Sequence, residues 1–267
     1  MLKSTPYYLK KSLLFFDLKS RRLPVIVFIL LLAINSLYLI YTTDASTFSL
    51  NDAVAEINAL TEGETLMGVY ALAESDAFAG IYALALDFFV VTIIYVLVGE
   101  VFSYIYMIGA IKDIKGEKYN AAGCALYTFT RLFVFLAALI IKLLIIASGF
   151  FLLVVPGVIL FCMLYFVEPL VMEQRASPIK AIKTSREATK GKRMQIFQIE
   201  LSCMLIIYLL GSLATMMFSS FSEAVSLYVN AFFSAMMTLI NTKRIAHVYT
   251  DMFYGGEKEA AAPEGTE

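Results

Sequence analysis

Residues 132–172 read LFVFLAALIIKLLIIASGFFLLVVPGVILFCMLYFVEPLVM, 41 positions that hold only two charges, Lys142 and Glu168. A stretch this long and this apolar has hydrocarbon as its natural solvent. At a rise of about 1.5 Å per residue, about 20 helical residues cross a bilayer core of roughly 30 Å. The stretch therefore divides into two crossings, 132–155 and 158–172, with Pro156-Gly157 read as the tight reversal between them. Two forms of this pair stay open, a hairpin of full spans and a re-entrant one.

The rest of the chain has the same character. Its 267 residues are 60% hydrophobic and 16% charged, with a mean hydropathy of +0.77. A soluble domain carries about 25% charged and about 45–50% apolar residues. The apolar surplus has no place in a single aqueous core, because surface grows too fast relative to volume. The expected fold is all-α, a polytopic transmembrane bundle of six helices over residues 1–250. Its spans are 23–42, 81–111, 132–155, 158–172, 194–218 and 224–241, and 251–267 reads as a disordered acidic tail.

The second apolar run, 77–111, is too long for a bilayer, yet no turn signal divides it. It is expected to be one protruding helix, interrupted by Asp87 and Glu100. Before it, residues 44–79 carry seven acids and no Lys or Arg. Leu50, Val54 and Ile57 recur there at helical spacing, and so do Leu66, Val69, Tyr70 and Ala73. This predicts an external acidic loop of two short amphipathic helices at the membrane surface. A second amphipathic helix, cytoplasmic, is expected over 177–193. Ser177-Pro178 starts it, Ile179, Ala181, Ile182 and Ala188 share a face, and Gly191 supplies the stop.

Charge placement supplies the threading. Six Lys and Arg precede the first span, four lie between Lys112 and Arg131, seven between Arg175 and Arg193, and three follow the sixth span, where Lys243 and Arg244 are taken to end it. That puts 20 of the 21 on one side, leaving only Lys142 inside a span. By the positive-inside rule the chain is expected in a plasma membrane with both termini cytoplasmic. The basic start also resembles the n-region of a signal peptide. The apolar run behind it is longer than the 7–15 residues of an h-region, so a membrane-anchored first helix is the better reading.

An ionisable group inside a span costs about 2.5–3.5 kcal/mol, so each needs a reason. Glu100 and Lys142 lie at matching depth with opposite sign and are expected to form an intramembrane ion pair. That pair is either a staple for helix register or the lining of a polar cavity; otherwise Lys142 snorkels and the two never meet. Arg131, Glu168, Arg193 and Glu200 lie nearer the inner edge and are expected to form a polar cluster, either interfacial salt bridges or a shared pocket. Lys180, Lys183, Arg186, Lys190, Lys192 and Arg193 are expected to contact anionic lipid head groups of the inner leaflet.

Catalytic signatures do not appear in the sequence: there is no G-x-S-x-G, P-loop, H-E-x-x-H or Gly-rich dinucleotide turn. Cys124, Cys162 and Cys203 are isolated, and His247 is the only histidine. No catalytic residue, metal or cofactor is expected on this basis.

Pro156-Gly157-Val158-Ile159, residues 165–169, Ala181, Ser185, Thr189-Lys190-Gly191-Lys192 and Phe197 follow one another in a familiar order. In these places the chain resembles a broad bacterial group of uncharacterised six-span integral membrane proteins. It is similar there to the membrane region attached to some glycerophosphodiester phosphodiesterases. The resemblance covers about forty residues closely. It implies a helical bundle with an interfacial helix of Ala-x-x-x-Ser pattern, and no phosphodiesterase activity, because that catalytic domain is missing.

The expected function is non-enzymatic: a scaffold, a partner subunit or an envelope-maintenance factor. A transporter or permease component built on the intramembrane charges is the alternative, and a membrane enzyme acting on lipid head groups a second one. Expected partners are membrane lipids and a protein partner or a second copy, with no nucleic acid.

Overall fold

A computed structural model describes residues 2–61, 76–219 and 222–260. Among these residues the chain is helical without strands, in the order α1 (Thr5–Leu13), α2 (Arg22–Thr61), α3 (Asp76–Lys115), α4 (Ala121–Thr130), α5 (Leu132–Leu152), α6 (Val154–Met163), α7 (Val167–Met172), α8 (Pro178–Ala188), α9 (Arg193–Ser219) and α10 (Glu223–Ala260). Six segments are long and apolar enough to cross a membrane: Arg22–Thr43, Leu86–Lys115, Leu132–Leu152, Val154–Met172, Arg193–Phe218 and Ala224–Gly255. The molecule is a multi-pass membrane protein. Its outward side chains agree with that, since Phe133 and Phe151 are 86% and 93% exposed and only lipid covers such faces at no cost.

Helix α10 is the axis of the bundle, packed against α1, α2, α3 and α9. One polar node fastens three of these helices. The Asn35 carbonyl oxygen of α2 accepts from Tyr95 of α3 at 2.6 Å and from Ser234 of α10 at 3.0 Å, while its amide donates to the Leu31 carbonyl at 2.7 Å. With no hydrophobic drive between helices in lipid, such hydrogen bonds and close packing hold helix against helix.

The reversal after α5 falls at Leu153, whose backbone is extended (φ −165°, ψ 157°). Pro156 is the third residue of α6, so the sequence expectation of a turn at Pro156-Gly157 is displaced into the first turn of the helix. Proline fits there because the first amides of a helix have no acceptor to lose. Gly157 allows the close approach: a Cβ at that position would lie 2.6 Å from the Phe150 ring.

The fourth span is broken. Helix α6 ends at Met163 and α7 begins at Val167. The cause is Pro169, which lacks an N–H and crowds the carbonyl four residues earlier; by position it again becomes the third residue of a new helix. Ser185 of α8 serves the break. Its hydroxyl donates to the Met163 carbonyl at 2.8 Å and accepts from the Phe166 amide at 3.1 Å. Ala181 and Ser185 are both fully buried, so the Ala-x-x-x-Ser spacing is the stripe by which α8 docks against the broken span. Ile179, expected on that face, is instead 79% exposed.

Three other sequence expectations change. Helix α2 runs unbroken to Thr61, so residues 44–61 prolong the first span rather than forming a separate surface helix. No Gly or Pro stands between Pro24 and Gly63 to stop it. The second expected surface helix lies mostly outside the described residues. Helix α10 continues past Lys243 and Arg244 to Ala260, so the first ten residues of the expected tail are helical; 261–267 lie outside the described residues. Finally, the basic start contains a helix, α1, packed on α10. Tyr8 of α1 is fully buried and donates to Asp251 at 3.0 Å, and Lys243 donates to the carbonyls of Leu14 and Asp17.

Candidate functional site

Charged side chains from five helices converge on one cavity of about 430 Å³. Glu100, Ser103 and Tyr104 come from α3, Lys142 from α5, and Phe161 from α6. Tyr165 comes from the break and Glu168 from α7, Glu200 and Met204 from α9, and Thr238, Asn241, Thr242 and Arg244 from α10. The broken fourth span brings Tyr165 and Glu168 to this place. Irregular backbone at membrane depth is tolerated where protein or a polar cavity surrounds it, and here it sits beside such a cavity.

Two ion pairs flank the space. The Lys142 ammonium lies 2.5 Å from Glu168, with side-chain exposures of 13% and 9%. The Arg244 guanidinium lies 2.6 Å from Glu200, and the Arg244 side chain is 1% exposed. Arg244 also donates to the side-chain oxygen of Asn241, one turn back on the same helix. Glu100 makes no ion pair among the described residues; it faces the charges of Lys142 and Glu168, with the Tyr104 hydroxyl beside it. Three carboxylates thus share a pocket with two cations.

Several polar atoms in the lining are left over. Among the described residues, the Tyr165 hydroxyl, the second carboxylate oxygen of Glu200 and the Arg244 Nε are buried without a hydrogen-bond partner. Tyr165 lies beside Arg244 and Glu200, and the charges of both bear on its hydroxyl. Buried polar groups in folded proteins nearly always find a partner, so each orphan asks for an explanation.

The sequence-predicted pairing changes accordingly. Lys142 is partnered by Glu168 rather than Glu100, although all three share the cavity. Glu168 and Glu200 are brought together, but Arg131 and Arg193 do not neutralise them. Arg131 stands at the α4–α5 junction, donating to the Arg175 carbonyl at 3.4 Å, and Arg193 starts α9 outside the cavity lining. Counting residues from a helix end gives depth, and depth says nothing about which way a side chain points around its axis. Lys180, Lys183, Arg186 and Lys190 are exposed on or just beyond α8, whereas Lys192 and Arg193 are half-buried.

Among the pocket residues that sequence reasoning missed are Tyr104, Tyr165, Asn241 and Arg244. A signal for the last pair was present. Apolar residues continue at helical spacing beyond Arg244 as Ala246, Tyr249 and Phe253, which marks Arg244 as inside a helix rather than at its end.

A second charged group closes the bundle at the end where α1 meets α10. Glu173 accepts from Lys115 at 2.8 Å, from Tyr249 at 2.8 Å and from Tyr254 at 2.9 and 2.8 Å. Burial pushes its carboxyl up, but the hydrogen bonds from Lys115, Tyr249 and Tyr254 outweigh burial and hold it below the usual carboxylate range.

The three cysteines are buried and unpaired, and no cluster of three metal-ligating side chains occurs among the described residues. The chain matches no protein-family model, no curated protein and no solved structure.

Proposed function

We propose that this chain is a carrier or permease component that binds a small polar solute in the intramembrane cavity. One observation supports this reading above the scaffold and head-group-enzyme readings. The cavity of about 430 Å³ reaches Glu100 and holds more polar capacity than its own contacts use. A purely structural staple gains nothing from unpaired polar atoms in the bundle, each of which costs about 1–3 kcal/mol. A volume of this size lies within the ordinary range of small-molecule sites, and a broken helix beside a polar cavity within the bundle suits solute binding.

In this proposal the protein lies in a bacterial plasma membrane with both termini in the cytoplasm, as the positive-inside rule favours. The exposed Lys180, Lys183, Arg186 and Lys190 then rest on the anionic inner leaflet, each contributing about 1 kcal/mol.

The test is whether water reaches the cavity. Thr238→Cys and Ser103→Cys place a thiol in the lining, against a background of three buried native cysteines. In membrane vesicles, a charged, water-soluble thiol reagent should label at least one variant well above the unsubstituted chain. A cavity that stays unlabelled from both faces would sink the carrier reading.

A further inference from the structure

We infer that the solute is a small organic monocation, an alkylammonium whose charge is met by Glu100; this rests on the carrier reading above. With all five groups ionised, three carboxylates against two cations leave the pocket one negative charge in excess. That excess resides at Glu100, because Glu168 and Glu200 already have cationic partners. A ligand with one positive charge neutralises the site. An anion finds both Lys142 and Arg244 occupied and meets Glu100 as a repelling charge.

The unused hydrogen-bonding capacity fits the same ligand. An ammonium is a donor without acceptor capacity. Two acceptors in the lining residues, the second oxygen of Glu200 and the Tyr165 hydroxyl, are buried without a hydrogen-bond partner among the described residues. The walls agree with the match. Tyr104, Phe161 and Tyr165 are among the lining residues, and aromatic rings attract organic cations through the ring quadrupole. Met107, Met204 and Met237 supply soft apolar surface for an alkyl chain. A bare metal ion is the poorer fit, since the described carboxylates do not gather three to one point.

The experiment uses the full chain purified in detergent micelles, with n-butylammonium chloride, sodium butyrate and zwitterionic 4-aminobutyrate as probes of similar length. The thermal midpoint should rise saturably with n-butylammonium and stay unchanged with butyrate. Glu100→Gln, which breaks no ion pair and should fold, should weaken n-butylammonium binding by about tenfold or more. Glu100→Asp should restore part of the response, and Tyr165→Phe should weaken it less than Glu100→Gln. An equal midpoint rise with butyrate or a larger one with 4-aminobutyrate overturns the monocation assignment, as does an unaltered response in Glu100→Gln. If the cavity thiols label but n-butylammonium gives no shift, the carrier reading stands and the monocation assignment falls. If the thiols do not label, both fall.

Discussion

Glu173 and Glu200 are both largely buried carboxylates that receive donors from α10, yet they are served differently. Glu173 has both oxygens engaged, by one ammonium and two phenols, and Lys115 also lies 4.4 Å over the Tyr254 ring. Glu200 has one oxygen bound to Arg244, and the other finds no hydrogen-bond partner among the described residues. The first arrangement is saturated and joins α3, the end of α7 and α10 into a clamp. The second is unsaturated and borders a cavity. Polar groups hold a bundle together when they are fully paired; incomplete pairing around an open volume is the observation on which the carrier proposal rests.

The largest effect expected from breaking this contrast is at Arg244. Arg244→Met leaves Glu200 charged and buried without a counter-ion and should cost about 3–5 kcal/mol. Arg244→Met combined with Glu200→Met removes both charges and should recover most of that loss. Denaturant titration of the purified variants reads this, and a double variant as unstable as the single one would show that the pairing is not what matters.

Glu173→Gln should cost less, about 2 kcal/mol, because the two phenols can still donate to the amide oxygen. It should leave the n-butylammonium response untouched; losing that response would mean that clamp and pocket are one unit. Its pH dependence has a definite sign. The folded Glu173 carboxyl is held below its ordinary value, so its contribution is complete above the unfolded value of about 4.3 and is lost as pH falls through the folded value. The thermal midpoints of the unsubstituted and Glu173→Gln proteins should therefore differ by a constant amount above about pH 5 and converge on further acidification.

The smallest effect is the sharpest comparison of the two regions. Tyr249→Phe deletes a hydroxyl bonded to Glu173 and should cost about 1 kcal/mol. Tyr165→Phe deletes a hydroxyl with no hydrogen-bond partner among the described residues and should be neutral or slightly stabilising in the ligand-free protein. Equal losses from both substitutions would erase the distinction between clamp and pocket.

Part of this architecture is legible in the amino-acid sequence and part is not. All six crossing segments are visible as apolar runs, and the 35-residue run at 77–111 lies within the single helix α3. Glu100, Lys142, Glu168 and Glu200 stand out because charge in such runs is expensive. Their partners do not stand out. Lys142 and Glu168 face each other because α5 and the α6–α7 segment fold back into a hairpin, and because the break at residues 164–166 re-aims Glu168. Arg244 is hidden by a rule of thumb that reads Lys-Arg after an apolar run as the end of a span. The docking stripe of Ala181 and Ser185 is visible as a motif, but its purpose depends on the broken helix it supports.

Hydropathy belongs to each segment by itself, since a helix in lipid satisfies its own backbone and meets the same solvent whatever its neighbours do. For that reason the sequence alone determined the all-helical class, the six crossing segments and the sharp asymmetry of charge between their two ends. Which charge answers which is a property of pairs. It depends on the azimuth of each side chain, the tilt of each helix and the kinks that proline imposes, and none of these is carried by a single segment. Only the tertiary structure decided that Lys142 turns to Glu168, that Arg244 turns to Glu200, and that Glu100 remains with a cavity beside it.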